Sequence, residues 1–417
     1  MTEFFNVLPP DEARALLLRH IRPLAGREML ATADALNRVT AEAIRAPGPL
    51  PDFRRSTMDG YAVRARDTFG ASESLPAFLT VVGEVAMGRT ADLALRAGEA
   101  AIVHTGGMVP DSADAVVQVE HTQRVTGDGS AAFPHDIEVL RAVAAGQNVI
   151  QVGEDVAAGA AILPAGHCLR PQDLGGLLAL GLTTVTVRPR PRVAILATGD
   201  EVVPPAAEPA PGQIRDINSY TVAGLTWYAG GAPEPRGIVP DNFDALHAAA
   251  AAALADCDML VMSAGSSVSV RDMTVEVIDG LGAPGVLLHG VATRPGKPTI
   301  VGAVNGKPVL GLPGNPVSAM IQFDMFGVPA IYHLQGMVEP PLRRRIRARL
   351  AQNVASESGR EDYVPARLEQ EQNEFVAVPV FGKSNLIYTL VGADGLIKVP
   401  LNLGGLTAGE LVEVTLF

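Results

Sequence analysis

Apolar positions change their spacing along the chain, and each change predicts a change of structure. Over 7–39 they recur three to four apart, with Pro9 and Asp11 as a start signal and Pro23 and Gly26 as breaks, which predicts two helices. Pro47, Gly48, Pro49 and Pro51 then exclude helix. Short Val-rich runs at 78–85, 99–106, 114–120 and 137–143, punctuated by Gly, Asp and Pro, predict strands of a small β domain or barrel. Residues 145–187 hold Gly-bearing turns, a helix start at Pro171–Asp173 and a strand. From Arg192 buried apolar runs alternate with helical ones: RVAILATGDEVV, a helix near Asn218 ended by Gly230 and Gly231, a helix capped by Asp241 or Asn242, CDMLVMSAG, a helical MTVEVIDGLG, a strand pair over PTIVGAVNGKPVLGLPG, and a long helix opened by Pro316. That alternation predicts a three-layer α/β unit whose ligands bind beyond the carboxyl ends of the strands. From Arg343 short strands return.

The expected fold class is therefore α/β multidomain: a central three-layer α/β domain with a mostly parallel sheet, an N-terminal helical region, an inserted β domain and a small C-terminal β domain. The expected boundaries are 1–46 with 145–187, 47–144, 188–337 and 338–417.

Charge narrows the function. The net charge of −12 argues against a nucleic-acid surface, which needs clustered cations for phosphates. The only cysteines, Cys168 and Cys257, exclude a multi-bridge scaffold and an all-cysteine zinc site. No apolar run suits a membrane span and no secretory signal is visible, so the expected place is the cytoplasm. His104, His121 and His289 lack zinc-ligand spacing.

Five loops concentrate the chemistry. Asp59 lies in RRSTMDGYAVRARD, a polar turn. Glu201 follows Asp200 at the carboxyl end of a buried strand, and Asp216 and Asn218 end the next loop; acids there suit Mg²⁺, a hard cation. Ser263, Gly265 and Ser267 belong to a small-residue loop that lets backbone approach an anion, closed by Arg271 and Asp272. Arg294 and Lys297 stand in RPGKPT; the chain has four lysines, and one held in a Pro-Gly turn suits an oxyanion. Gly314, Asn315, Pro316 and Ser318 open a helix with free backbone donors. Neither a Walker A loop nor a dinucleotide fingerprint occurs. Acids, cations and anion cradles together point to an enzyme for a phosphorylated, anionic substrate with Mg²⁺.

The strings STMDGYAVRARD, VHTGGMVPDSADAVVQVE, LATGDEVV, SAGSSVSVRD, VATRPGKP and GLPGNPVSA, in that order, resemble the molybdopterin molybdenumtransferase family of MoeA and the gephyrin E-domain. The resemblance spans about Ala13 to Phe417. It implies an elongated homodimer with its active-site cleft near the subunit interface, and insertion of molybdenum from molybdate into adenylylated molybdopterin with release of AMP, Mg²⁺ assisting. It assigns catalytic roles to Asp59, Thr105, Glu201, Asp216, Asp272 and Lys297, with Glu201, Asp216 and Asp272 as metal ligands. Ser263, Gly265, Ser267, Arg271, Arg294, Gly314, Asn315, Pro316, Ser318, Arg360 and Ser384 would bind substrate. An upstream molybdopterin adenylyltransferase or a recipient molybdoenzyme is an implied partner. SAGSSVSVRD departs from the family's SGGVSVGxxD. A second reading is therefore a non-catalytic molybdopterin-binding or carrier protein, or a tungsten-handling paralogue.

Overall fold

The computed structural model describes residues 7–125, 132–264, 268–372 and 374–417, with backbone alone at 264 and 268–271. The described chain divides into two compact units, residues 43–164 with 172–183, and residues 7–42, 165–171 and 184–417. The architecture is multidomain: an N-terminal helical region, an inserted β domain, a central α/β domain and a small C-terminal β domain. Among the described residues no helix is long and apolar enough to cross a membrane.

The central sheet has six strands, in the order Ala232–Val239, Arg192–Thr198, Met259–Ala264, Lys307–Pro313, Ile300–Val304, Pro284–His289. The first four run parallel, and the last two pairings are antiparallel. Ile300–Val304 and Lys307–Pro313 are joined through Asn305 and Gly306, both at positive φ (53° and 84°), the conformation that a two-residue hairpin needs. Alternation decides the layers. Val193 and Ile195 face one cluster with Ala13, Leu17, Phe323 and Phe326, whereas Ala194 and Leu196 face another with Leu246, Ala250 and Val277. A parallel sheet covered on both faces reads as an unbroken apolar run, as VAILA does.

The helix predicted from Pro316 is real but interrupted: Pro316–Gln322 and Val328–Leu334 flank a wider π turn at Phe323–Gly327. Gly327 is required there, because a Cβ would lie 2.4 Å from the Phe323 ring.

The second predicted N-terminal helix does not form. Pro10–His20 is helical, but Glu28–Ala31 is a strand that pairs antiparallel with Thr184–Val187, followed by a short turn at Thr32–Asp34. Tertiary pairing with a segment some 150 residues away overrides local helix preference here.

The C-terminal domain is a closed barrel. Glu361–Glu371, Glu374–Pro379, Arg345–Leu350, Leu411–Leu416 and Gly395–Val399 follow in order, and the last pairs back to the first. The two-residue strand Thr293–Arg294, which emerges from the α/β domain, adds in parallel to Glu361–Asp362.

The other unit is built on a sheet in the order Ala115–Gln118, Gly60–Val63, Glu99–Val103, Ala77–Glu84, His135–Val139, Thr122–Arg124. It has its own apolar clusters, around Val63, Leu79 and Ile137 and around Ala62, Val103 and Val116.

Candidate active site

Register brings the strand ends level. Ala197 pairs with Ser263, and Ser263 with Leu312, so the loops after three parallel strands leave one edge of the sheet. The Thr198 hydroxyl donates to the Ser263 carbonyl at 3.3 Å, and both residues are buried. Gly199 has φ 137°, and a Cβ on it would lie 2.8 Å from Glu201 Oε2. The Gly therefore permits the Glu201 carboxylate to fold back against its own strand end.

Asp216 continues from the short ladder Val202–Val203 with Ile214–Arg215. It is 8% exposed, and its Oδ1 accepts from the Ser219 N–H at 3.1 Å. That is a helix cap, so one carboxylate oxygen is already committed. Asn218 Nδ2 donates to the Gly314 carbonyl at 2.9 Å, tying this loop to the next strand end. Asp272 is exposed on the helix Val268–Gly280. Gly265 and Ser267 lie outside the described residues, as does the Arg271 side chain.

One acid was missed. Asp241, which the sequence offers only as a helix cap, yields that role to Asn242, whose side chain accepts from the Ala245 N–H at 3.0 Å. Burial, with Asp200 and Glu201 close by, pushes the Asp241 carboxyl above its ordinary value. Its Oδ1 is buried with no partner among the described residues, while its backbone N–H donates to Asp200 Oδ1 at 3.2 Å. Carboxylates that repel one another around an orphaned oxygen are the donor set a divalent cation satisfies. The three are not closed on a point: among the described residues no three such side chains form a ready cage.

A carboxyl raised above its unfolded value contributes stability that is present below the unfolded value and lost as pH rises through the folded one. At neutral pH Asp241 is therefore a cost in the metal-free protein. Asp241→Asn should raise the melting temperature in EDTA at pH 7 by about a degree or two. A lower melting temperature in EDTA would refute the repulsion.

A cleft of about 940 Å³ lies between the α/β domain and the barrel. Arg294, Lys297, Arg360 and Lys383 line it, with Glu357 and Asp362 as its acids. Two of the four lysines of an acidic chain thus stand at one opening. Asp362, 3% exposed, lies 3.6 Å from Arg294 NH1 and 3.0 Å from Arg360 Nε, and so positions both guanidinium groups. Gly296 has φ 107°, and a Cβ there would lie 2.4 Å from Gln322, whose Nε2 donates to the Pro295 carbonyl at 2.9 Å. Asn315 Nδ2 donates to Ser384 Oγ at 3.0 Å, and the Val317 N–H to the Ser384 carbonyl at 3.1 Å. Pro316 starts its helix as predicted, and Gly314 and the buried Ser318 flank it. Thr293, 1% exposed, lines the cleft with a hydroxyl that has no partner among the described residues. The arrangement can hold a doubly charged tetrahedral anion.

Asp59 and Thr105 meet in the other unit. The Thr105 N–H donates to Asp59 Oδ1 at 2.8 Å and its hydroxyl at 3.1 Å. These bonds, led by the backbone one, hold the Asp59 carboxyl below its ordinary value. His104, beside Thr105, pairs with Glu84 at 2.7 Å.

Fold and site together set acids at the exit of a mostly parallel sheet and a cluster of cations at a cleft between that domain and the barrel. Three family models match: "MoeA N-terminal region (domain I and II)" over residues 8–181, "Probable molybdopterin binding domain" over 194–333, and "MoeA C-terminal region (domain IV)" over 347–417. A molybdopterin biosynthesis protein of Methanocaldococcus jannaschii is 36% identical over 392 residues, 92% of this chain and 90% of its own. Molybdopterin molybdenumtransferase 2 of Mycobacterium tuberculosis is 32% identical over 96% of each chain. The crystal structure of the molybdopterin biosynthesis MoeA protein of Pyrococcus horikoshii superposes with a TM-score of 0.84 at 32% identity, covering 99% of this chain and 100% of that one. The chain belongs to the MoeA, or molybdopterin molybdenumtransferase, family.

Proposed function

We propose that the chain inserts molybdenum from molybdate into adenylylated molybdopterin and releases AMP, a divalent cation assisting. Its family membership makes it a transferase of molybdenum-cofactor biosynthesis. The observation that carries the finer reading is the clustering of Arg294, Lys297, Arg360 and Lys383 at one cleft in a chain of net charge −12.

In this reading Arg294, Lys297 and Arg360 hold molybdate or a substrate phosphate, with Asp362 fixing the two arginines. Ser384, held by Asn315, adds a hydroxyl to that wall. Glu201, Asp200 and Asp241 would hold Mg²⁺, with Asp216, one oxygen already used, and Asp272, exposed on the helix Val268–Gly280, as further candidate acids. A cation bound there neutralises charge on the phosphate that links pterin and AMP. Asp59, kept ionised by Thr105, supplies a fixed negative charge to the reaction. The dithiolene sulfurs come from the substrate, so the chain needs no cysteine ligand. Orientation and charge neutralisation then do the chemistry, without a covalent intermediate on the protein. We place the chain in a homodimer with its cleft near the subunit interface.

The test is direct. Purified protein given adenylylated molybdopterin, molybdate and Mg²⁺ should release AMP and yield active cofactor. Binding of substrate with no AMP release at all would support the carrier reading instead.

A further inference from the structure

The cleft wall contains an aromatic residue that neither the sequence motifs nor the proposed chemistry uses. Phe381 lines the cleft and is 57% exposed. The only other aromatic residue among the described lining residues is Tyr363, whose hydroxyl donates to Glu361 Oε2 at 2.6 Å.

Phe381 is not on a loose segment. The preceding Val380 N–H donates to the Pro365 carbonyl at 2.7 Å. Gly382, which follows it, packs so closely on Thr389 that a Cβ would lie 2.3 Å from Thr389 Cγ2. Ser384 is held twice from the α/β domain, through Asn315 Nδ2 and the Val317 N–H. The loop therefore holds a partly solvent-facing apolar ring two residues from Lys383, in a cleft that also carries Arg294, Lys297 and Arg360. More than half of the Phe381 surface is left uncovered by the fold. The ring suits a ligand with a flat π face joined to a phosphate, because stacking and charge pairing can be satisfied together.

Resting on the transferase reading, we infer that Phe381 is the stacking platform for the planar heterocycle of the phosphorylated substrate. Arg294, Lys297, Arg360 and Lys383 take the charge, and Phe381 selects for a heterocyclic phosphate over a bare oxyanion. The heterocycle is either the adenine or the pterin, and the ligands in the test separate them.

Binding of AMP, of a pterin monophosphate and of inorganic phosphate is measured calorimetrically on the native chain, on Phe381→Ala and on Phe381→Trp. The alanine variant should bind one of the two heterocyclic phosphates on the order of tenfold more weakly, with inorganic phosphate unchanged and tryptophan restoring the native affinity. The ligand that loses affinity identifies the heterocycle. The platform is overturned if both heterocyclic phosphates bind the alanine variant as tightly as the native chain. It is equally overturned if inorganic phosphate weakens by the same factor, or if the native chain binds neither heterocyclic phosphate better than phosphate. AMP release by the native chain is followed in parallel, so the platform can fall while the transferase reading stands, and the reverse.

Discussion

Asp59→Asn should slow AMP release by on the order of a hundredfold or more while leaving the melting temperature within about a degree of native. The substitution keeps the shape and the acceptor. An asparagine oxygen can still take the Thr105 N–H and hydroxyl, which now reach Asp59 Oδ1 at 2.8 and 3.1 Å. Only the charge goes, and with it the electrostatic contribution that a preorganised group makes to a transition state. Asp59 is exposed, so no buried network collapses with it. The direction of its shift adds a pH arm. A carboxyl depressed below its unfolded value contributes stability above that value and loses it as pH falls through the folded one. Asp59 is thus ionised throughout the range from pH 7 down to 5, and the native rate should show no acid limb from this group there. Single-turnover AMP release against pH checks both points; native turnover by the asparagine variant would remove Asp59 from the site.

Gly60→Ala should be far more damaging to structure, with a loss of about 3 kcal/mol or more. Gly60 pairs with Val103 on one side and Gln118 on the other, between two antiparallel neighbours. A Cβ there would lie 1.9 Å from the Val117 carbonyl oxygen and 2.9 Å from its carbon. Both atoms are backbone in the middle of a ladder, so nothing flexible can yield. The Asp59 turn immediately precedes this strand, and activity should fall with the sheet. Hydrogen exchange read by segment is the measurement. Amides of Gly60–Val63, Glu99–Val103 and Ala115–Gln118 should lose protection while those of Arg192–Thr198 and Met259–Ala264 keep it. Unchanged protection in the first set would show that the sheet can absorb the methyl group.

Much of this was legible in the chain itself. The unbroken apolar run of VAILA announced a strand covered on both faces, and the acids of ATGDEVV therefore had to lie at its exit. The scarcity of lysine made Lys297 conspicuous before any cleft was known. What failed was non-local. EMLA has helix-forming residues, and only its partner Thr184–Val187 makes it a strand. Asp241 stands beside a helix start, where an acid reads as a cap, and its meaning comes from Asp200 and Glu201 some forty residues earlier. Asp362 is invisible as a positioning residue until strand pairing brings Arg294 to it, beside Arg360, its near neighbour in sequence. Phe381 carried no motif, and only its exposure on a fixed loop distinguishes it.

The short strand Thr293–Arg294 leaves the α/β domain and is hydrogen-bonded into the barrel at Glu361–Asp362. Backbone bonds thereby stitch the two walls of the cleft together directly beneath its cations. A hinge that swung barrel away from sheet would have to tear that seam, so under the proposed reading a bound anion would meet two walls already joined through their backbone. The backbone then has little order left to gain on binding, and the entropy lost falls on the incoming molecule and on the long side chains that close on it.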